Sequence, residues 1–534
     1  MDTSVRTRPL EFISAALSDK TLTKKAYLNA LASMLEYVTN LLVGFLMTPF
    51  MVIGLGDYSY GLWQVLYRII GYLTPASGRP GYALKWTLVH QQVSSDYEQK
   101  RRYVGSTLVV WVIFLPILIG LAAVMAWQLP AWVHAPAAFV WPIRIVCFVL
   151  VSDMAVDTFA AIPRTILESQ NLGYKRMGLS AGLVILGGAF TWLAIYLKTG
   201  IVGVSLAILS TTIASGLFYL PIARRFAPWF GVAKPLVEDV QQIFGRSWWF
   251  LSWNLVTSLL LASDVVVLGL FESIISVTNY SLTKYVPEMM ISIIANIVFA
   301  IMPGLGRIVG SGDFRRAVRL RGEIMSLIWL VVTGLGTTIL LWNRAFLGLW
   351  VNAERYSGSL PNLLIVIGVM QLVFIRSDAN IIDLTLRLSQ KVMLGLLAVT
   401  ISIVLASLMV GYFHLAIVGL CLGIMFGRLI LSIGYPFLIS RYLKTSLGEQ
   451  IQAMVRPMFV TLLLFVGAVA VDQFLPTITW PGAHNWLGFF ISAGLSAIVS
   501  LALAFFAGLT AKQRSGILLR VRMVYSRAEQ TEID

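Results

Sequence analysis

Ionisable side chains stand within long apolar runs of this sequence, where charges are rarely found. Five of them are cations, Arg68, Arg144, Lys284, Arg376 and Arg428, and all but Arg144, near the outer end of its run, are substrate-binding candidates. Seven are carboxylates, Glu36, Asp153, Asp157, Asp264, Glu288, Asp378 and Asp383, and all but Asp383, at the end of its run, are ion-coupling candidates. In a lipid-embedded helix an ionised group costs about 3 kcal/mol or more, unless it faces a water-filled cavity or an opposite charge. Apart from Arg144 and Asp383, these residues are therefore the candidates for chemistry.

The residue types and their spacing indicate two roles. Guanidinium and ammonium groups bind phosphate oxygens, which predicts that the four candidate cations bind an anionic substrate. The carboxylates are candidates for coupling transport to H⁺ or Na⁺. Lys284 and Glu288, like Asp153 and Asp157, are four residues apart and so share a helix face. Two simpler interpretations stay open: an intrahelical ion pair for the first two, and a position at the membrane edge for the second two.

The elements that position these residues are predicted from composition. The chain has 534 residues, of which 58% are hydrophobic and only 12% charged. A membrane-spanning helix needs about 20 apolar residues. The sequence predicts an all-α polytopic membrane protein with about 14 transmembrane helices. The apolar runs lie at 26–53, 58–78, 104–129, 138–162, 177–197, 201–222, 247–271, 275–304, 323–347, 360–385, 391–412, 415–439, 457–477 and 485–509.

The net charge of +15 is distributed among short loops. Lys and Arg collect in alternate loops, which places both termini in the cytoplasm under the positive-inside rule. Arg315, Arg316, Arg319 and Arg321, for example, follow the eighth run. No DNA- or RNA-binding motif accompanies the charge, so nucleic acid is excluded as a partner. We expect a multi-pass protein of the bacterial inner membrane.

A weak internal repeat predicts two lobes. TILESQ at 165–170 and TLRLSQ at 385–390 follow equivalent runs, and a long basic linker follows runs two and eight. Transporters commonly arise by such duplication. The predicted organisation is a cytoplasmic tail (1–25), an N-lobe (26–222), a basic linker (223–246), a C-lobe in pseudo-two-fold relation (247–440), an extra helix pair (457–509) and a second tail (510–534).

Signatures of enzymes and cofactors are missing from the sequence. Four histidines are scattered without metal-ligand spacing, both cysteines lie in apolar runs, and no phosphate-binding loop is present. The loops between runs are too short for a catalytic domain. We therefore expect a secondary-active transporter with no catalytic residue, no metal site and no cofactor other than a coupling ion.

Several motifs carry a resemblance to a known family. They are the opening run AYLNALASMLEYVTNLLVGFLMTPFMVIGLGDYSYGLW, the basic linker after run two and ESQNLG at 168–173. With the duplicated plan, the chain resembles the polysaccharide-transport branch of the multidrug/oligosaccharidyl-lipid/polysaccharide exporter superfamily. The resemblance implies a flippase for undecaprenyl-diphosphate-linked oligosaccharides, driven by H⁺ or Na⁺ through alternating access. It also implies cavity cations at Arg68 and Lys284.

The partners expected from this resemblance are a polyprenyl-diphosphate-linked glycan, membrane lipid, and a polysaccharide polymerase with its export machinery. Two alternatives remain open at this point. One is a multidrug or cation antiporter of the same superfamily, which favours an acidic and aromatic lumen. The other is a membrane polysaccharide polymerase or glycosyl-transfer enzyme, which needs catalytic groups in a large external loop.

Overall fold

The computed structural model of the chain describes residues 22–77, 80–91, 94–170, 172, 177–310, 312–383, 388–443, 446–474, 485–511 and 513–516. Within these ranges the regular structure is helical, and the all-α prediction is confirmed. The first eight helices are α1 (Leu22–Leu55), α2 (Asp57–Gly71), α3 (Pro80–His90), α4 (Tyr97–Trp132), α5 (Ala137–Ser169), α6 (Met177–Tyr196), α7 (Gly200–Phe226) and α8 (Val237–Phe271). The others are α9 (Ile274–Gly310), α10 (Phe314–Trp350), α11 (Ser359–Asp383), α12 (Leu388–Ser407), α13 (Ala416–Leu443), α14 (Leu447–Phe474) and α15 (Trp486–Leu503).

Among the described residues, 12 helices are long and apolar enough to cross a membrane. The chain is thus a multi-pass membrane protein. Predicted spans two and eight correspond to α2 and α9, which are outside those 12. Helix α2 has only 15 residues, or about 22 Å at 1.5 Å per residue, whereas the hydrocarbon layer is about 30 Å thick. The predicted count of about 14 is therefore approximate.

The chain divides into two compact units, Met1–Ser258 and Leu259–Asp534, and the division falls inside α8. Each unit is described by itself. The lobe limits and the pseudo-two-fold relation stay predictions. The N-terminal tail up to residue 21, the end of the C-terminal tail from residue 517 and two residues of the ESQNLG turn, 171 and 173, lie outside the described residues.

In the first unit α5 packs on α7, and α1 packs on α6. Helices α5 and α7 approach closely at Gly216, where an added Cβ would lie 3.0 Å from the Cβ of Ala160. Helices α6 and α7 are joined by a buried hydrogen bond of 2.9 Å between the hydroxyls of Ser180 and Tyr219. Small residues and paired hydroxyls are the means by which helices associate in lipid, where apolar burial gives little drive.

The basic residues at the start of α4 fasten the segment 227–239 to the first unit. Arg101 Nε donates to the carbonyl of Trp229 at 2.7 Å, and the backbone N–H of Ala233 donates back to Arg101 at 3.2 Å. Arg102 pairs with Asp239 at 3.2 Å. Lys100, which is buried, lies 5.6 Å from the Trp229 ring. We call Lys100–Arg102 and segment 227–239 the clasp.

The clasp accounts for part of the positive charge of the basic linker that follows predicted span two. The middle of α3 is buried at Leu84 and Leu88, in a cluster with Ile166 of α5 and Trp229. The basic residues that follow α3 bind groups of the protein itself: Lys100 and Arg101 donate to backbone carbonyls, and Arg102 pairs with a carboxylate. Part of the linker charge therefore stabilises the unit from within and is not available to a lipid head group.

The clasp can be tested with Arg101→Ala. We expect chymotrypsin to cut the segment 227–239 roughly tenfold faster, because a hydrogen bond from a charged group is worth about 1.5–3 kcal/mol and local opening exposes the segment. The readout is the cleavage rate of the folded protein in detergent. Arg225→Ala is the matched control, since Arg225 is exposed at the end of α7. Equal cleavage rates for the two variants would contradict the clasp.

In the second unit two glycines of α13, Gly423 and Gly427, bring it against α12. Gly419, Gly423 and Gly427 recur every four residues and form one face. A Cβ on Gly423 would overlap the backbone of Ala406, and one on Gly427 would overlap the backbone of Ser402. This small-residue pattern lets the two backbones touch, as in other membrane helix pairs. The packing fixes the rotation of α13 and therefore where its next residue, Arg428, points.

The last two helices pack on α10. Trp329 Nε1 donates to the hydroxyl of Thr461 in α14 at 2.9 Å. Trp342 Nε1 donates to the hydroxyl of Ser496 in α15, also at 2.9 Å. A buried indole N–H needs a hydrogen-bond acceptor. Within the membrane, where water is absent, a hydroxyl on a neighbouring helix can serve as that acceptor. Specific hydrogen bonds thus join α14 and α15 to the second unit.

Candidate functional site

The centre of the candidate site is Asp264, near the end of α8. Its Oδ2 accepts hydrogen bonds from the Tyr280 hydroxyl at 2.6 Å and from Lys284 Nζ at 2.5 Å. Its Oδ1 accepts from the backbone N–H of Val265 at 2.8 Å. All three side chains are less than 10% exposed. Both oxygens of the buried carboxylate thus accept hydrogen bonds, which offsets the cost of removing them from water.

Lys284 is placed by the spacing of residues along α9. Tyr280, Lys284 and Glu288 are four residues apart and lie on one helix face. Lys284 Nζ is 3.7 Å from Glu288, but its shorter contact is with Asp264. The intrahelical pair that the Lys284–Glu288 spacing allowed is therefore present. Lys284 also contacts a second carboxylate, that of Asp264 on another helix. Tyr280 was missed, although its position four residues before Lys284 was a usable signal.

Arg428 reaches the same site from α13 but binds backbone. Its guanidinium donates to the carbonyl of Leu260 in α8 at 2.5 Å and to that of Gly368 in α11 at 3.4 Å. Its Nε is buried without a hydrogen-bond partner among the described residues. The positive charge interacts electrostatically with Asp264. Arg428 therefore joins three helices, with α13 supplying the donor.

A cavity of about 30 Å³ lies between these residues, lined also by Cys421, Met425 and Leu372. A water molecule needs about 10–15 Å³ of such volume, so the cavity holds about two waters and no diphosphate. We call Asp264, Tyr280, Lys284, Glu288 and Arg428 the ion cluster. In the arrangement described, its cations are compensated by protein oxygens.

Two more predicted residues of the second unit lie on α11. Asp378 is paired with Arg321 of α10 at 2.7 Å, and Arg321 also donates to Gln450 of α14 at 2.9 Å. Arg321 was expected in a basic loop, but α10 begins at Phe314 and includes it. Arg376 is half-buried and makes no hydrogen bond or ion pair within the described part of the chain. Asp378 is thus engaged in joining helices, whereas Arg376 has no direct partner for its charge among the described residues.

The predicted residues of the first unit do not form one cluster. Glu36 of α1 pairs with Arg164 of α5 at 3.5 Å. Asp153 and Asp157 are electrostatic neighbours on α5, and Asp153 hydrogen-bonds Thr212 of α7. Arg68 is half-buried in the last turn of α2. Arg68 and Asp153 share one neighbour, since both interact electrostatically with Tyr67.

Asp472 of α14 is a buried carboxylate that sequence reasoning missed. It accepts a hydrogen bond from the Ser359 hydroxyl at 2.6 Å and a longer one from the Tyr356 hydroxyl at 3.5 Å. Burial and the neighbouring carboxylate raise the pKa of Tyr356, in the loop before α11, above its usual value. The phenol is therefore neutral at physiological pH and donates to Asp472. No group of three or more His, Cys, Asp or Glu residues arranged for a metal ion occurs among the described residues.

The sequence matches a family model described as polysaccharide biosynthesis protein over residues 27–309, more than half of the chain. The chain belongs to this family. The match includes most of α1, all of α2 and the ion-cluster residues Asp264, Lys284 and Glu288. No curated protein sequence matches the chain.

Several solved structures of transporters have a similar fold at low sequence identity. The lipid II flippase MurJ in an inward closed conformation has a TM-score of 0.66 and 12% identity, over 92% of this chain and 100% of that one. An inward-facing multidrug resistance MATE family transporter of the MOP superfamily has a TM-score of 0.56 and 15% identity, over 78% of this chain and 99% of that one. A MOP superfamily transporter from Pyrococcus furiosus, whose binding pocket is described as having reverse polarity, has a TM-score of 0.51 and 16% identity. The likeness covers 79% of this chain and 97% of that one. At these identities the likenesses show the shared fold, whereas the family match over residues 27–309 is what supports the polysaccharide-transport branch.

Proposed function

We propose that the chain is a flippase that moves an undecaprenyl-diphosphate-linked oligosaccharide across the bacterial inner membrane, for export of a surface polysaccharide or exopolysaccharide. The observation that carries the proposal is the ion cluster: two cations, Lys284 and Arg428, buried among apolar helices around one carboxylate. A cation within a membrane-spanning helix is costly, and such residues mark the path of a substrate or an ion. The family and the fold shared with a lipid II flippase and with exporters support the same function.

The geometry suggests how substrate and ion exchange. Lys284 Nζ has two protein carboxylates within 4 Å, and a diphosphate offers the same kind of oxygen. When the diphosphate binds Lys284, Asp264 loses its counter-charge and takes up H⁺ or Na⁺. Release of the head group on the other side reverses the exchange. Arg68 and Arg376 are proposed as further phosphate ligands, with Asp153 and Glu288 as further coupling groups.

The orientation is part of the proposal. Both termini lie in the cytoplasm, because Lys and Arg concentrate in alternate loops. The diphosphate enters from the cytoplasmic side, the glycan passes through a hydrated path, and the polyprenyl chain remains in lipid. A polysaccharide polymerase and the export machinery receive the glycan.

The test is flipping in proteoliposomes of a fluorescent undecaprenyl-diphosphate oligosaccharide, with and without an imposed H⁺ or Na⁺ gradient. We expect gradient-stimulated flipping, and roughly tenfold slower flipping in Arg68→Ala, Lys284→Ala and Arg376→Ala, since each removes a charge-assisted hydrogen bond to phosphate. Lys198→Ala, in an exposed loop, is the control that removes one charge elsewhere. Normal flipping by all three variants contradicts the role of the cations.

The same vesicles distinguish the two alternative functions. Extrusion of cationic dyes without flipping of the glycolipid would indicate a multidrug or cation antiporter. Lengthening of the glycan without transport would indicate a polymerase or glycosyl-transfer enzyme. The buried lysine and arginine favour an anionic substrate over a cationic drug.

A further inference from the structure

Arg144 of α5 lies between two tryptophan rings at the hairpin of α4 and α5. Its guanidinium carbon is 4.7 Å from the ring centre of Trp127 and 5.3 Å from that of Trp141. Trp141 precedes Arg144 by three residues and shares its helix face. Trp127 is five residues from the end of α4. Side chains of α5 lean toward its N-terminus, so the guanidinium points to the end of the hairpin.

The positive charge of Arg144 has no counter-charge in the described part of the chain. Its Nε is enclosed and lacks a hydrogen-bond partner, and none of its nitrogens is paired with a carboxylate there. The sequence contains no acidic residue from 99 to 152. The terminal guanidinium nitrogens are therefore free to bind an external anion. Stacking against two rings fixes the plane of the group, which favours two parallel hydrogen bonds to a phosphate.

The surface next to Arg144 faces away from the protein. Trp127 and Trp141 are both 69% exposed, and Phe148, two turns further along α5, is 73% exposed. Ile145 and Val124 extend this apolar strip. In a multi-pass membrane protein such a surface contacts acyl chains. Tryptophan belongs at the depth of the head groups, and a long cationic side chain extends to that depth.

We propose that Trp127, Trp141 and Arg144 bind the phosphate of a glycerophospholipid, whose acyl chains lie along Val124, Ile145 and Phe148. The site holds a lipid of the surrounding leaflet at a fixed position on the first unit. It does not depend on the flippase function, since none of its residues belongs to the ion cluster or to the other proposed transport residues. The partner is an anionic head group because the only charged residue of the site is Arg144.

The experiment measures binding of dioleoyl-phosphatidylglycerol to the full-length protein in detergent by native mass spectrometry. We expect one tightly bound lipid in the unmodified protein, and roughly tenfold weaker binding in Arg144→Gln. Arg144→Lys should be intermediate, since it keeps the charge but loses the planar pair of donors. Dioleoylglycerol, which has the same chains without phosphate, should not occupy the site.

Two controls keep the test decisive. Lys198→Gln removes one exposed charge from the same unit and should bind as the unmodified protein does. Trp141→Leu keeps the charge but removes one ring, and should weaken binding even if Arg144→Gln fails to fold. Equal lipid binding by the unmodified protein, Arg144→Gln and Trp141→Leu overturns the proposal. Displacement of the lipid by millimolar inorganic phosphate overturns it as well, because the site is then an anion site and not a lipid site.

Discussion

Asp264→Asn is expected to abolish flipping and to destabilise the folded protein by about 3 kcal/mol. The carboxylate is the hydrogen-bond acceptor for Lys284 and Tyr280, and it is the nearest counter-charge to Lys284 in the ion cluster. Asparagine has the same shape but no charge, so Lys284 and Arg428 would remain buried with Glu288 as their only carboxylate in the cluster. Removing one partner of a buried ion pair is costly because the other charge is left uncompensated. The measurement is the denaturation midpoint in detergent, alongside the flipping assay.

A double variant separates stability from transport. Asp264→Asn with Lys284→Met removes both charges of the pair, and replacement of a buried pair by groups of similar volume is often nearly neutral in stability. We expect most of the lost stability to return while flipping remains absent. Glu354→Gln, an exposed carboxylate in the loop before α11, serves as the control for a charge change alone. If the double variant flips normally, Lys284 and Asp264 are structural and do not handle substrate or ion.

Gly427→Ala is expected to reduce the amount of folded protein in the membrane severely. The new Cβ would overlap the backbone and hydroxyl of Ser402 in α12, and backbone atoms have no side-chain rotation by which to move aside. Overpacking of this kind costs about 1–3 kcal/mol. It also moves Arg428, the next residue, away from the carbonyls of Leu260 and Gly368. The measurements are membrane yield and the denaturation midpoint.

Gly434→Ala is the matched control on the same helix. There the added Cβ would lie 3.1 Å from Leu394 Cδ1, the flexible end of a side chain that can move. Alanine also favours the helix over glycine by about 1 kcal/mol. We expect stability within about 1 kcal/mol of the unmodified protein. Equal losses for the two alanine variants would show that close α12–α13 packing is not what positions Arg428.

The sequence predicts the fold class well because the membrane imposes length and composition on each helix. It also predicts the Lys284–Glu288 contact, since a spacing of four is local. The stronger partner, Asp264, lies on the preceding helix, and the contact depends on how α8 and α9 pack. No pattern in the sequence shows which residues of α8 and α9 face each other. For the same reason Asp264 is a candidate without an identified partner when only the sequence is considered.

Arg321 and Arg428 show two other limits of sequence reasoning. Arg321 follows a basic run, and charge counting assigned it to a loop. Only the start of α10 at Phe314 places it two turns inside a helix, where it meets Asp378 57 residues later. The acceptors of Arg428 are main-chain carbonyls of two other helices. Carbonyls are present at every residue, so no residue type marks them.

The hydrogen bonds from α10 to the last two helices have a consequence for biosynthesis. Trp329 finds its acceptor, Thr461, 132 residues later, and Trp342 finds Ser496 154 residues later. At a synthesis rate of about 5–20 residues per second, α10 waits roughly 10 s in the membrane before α14 is made. During that interval both indole N–H groups lack their final acceptors. A ribosome-bound chain that ends before residue 447 is therefore a membrane-inserted intermediate whose α10 surface remains open to premature association.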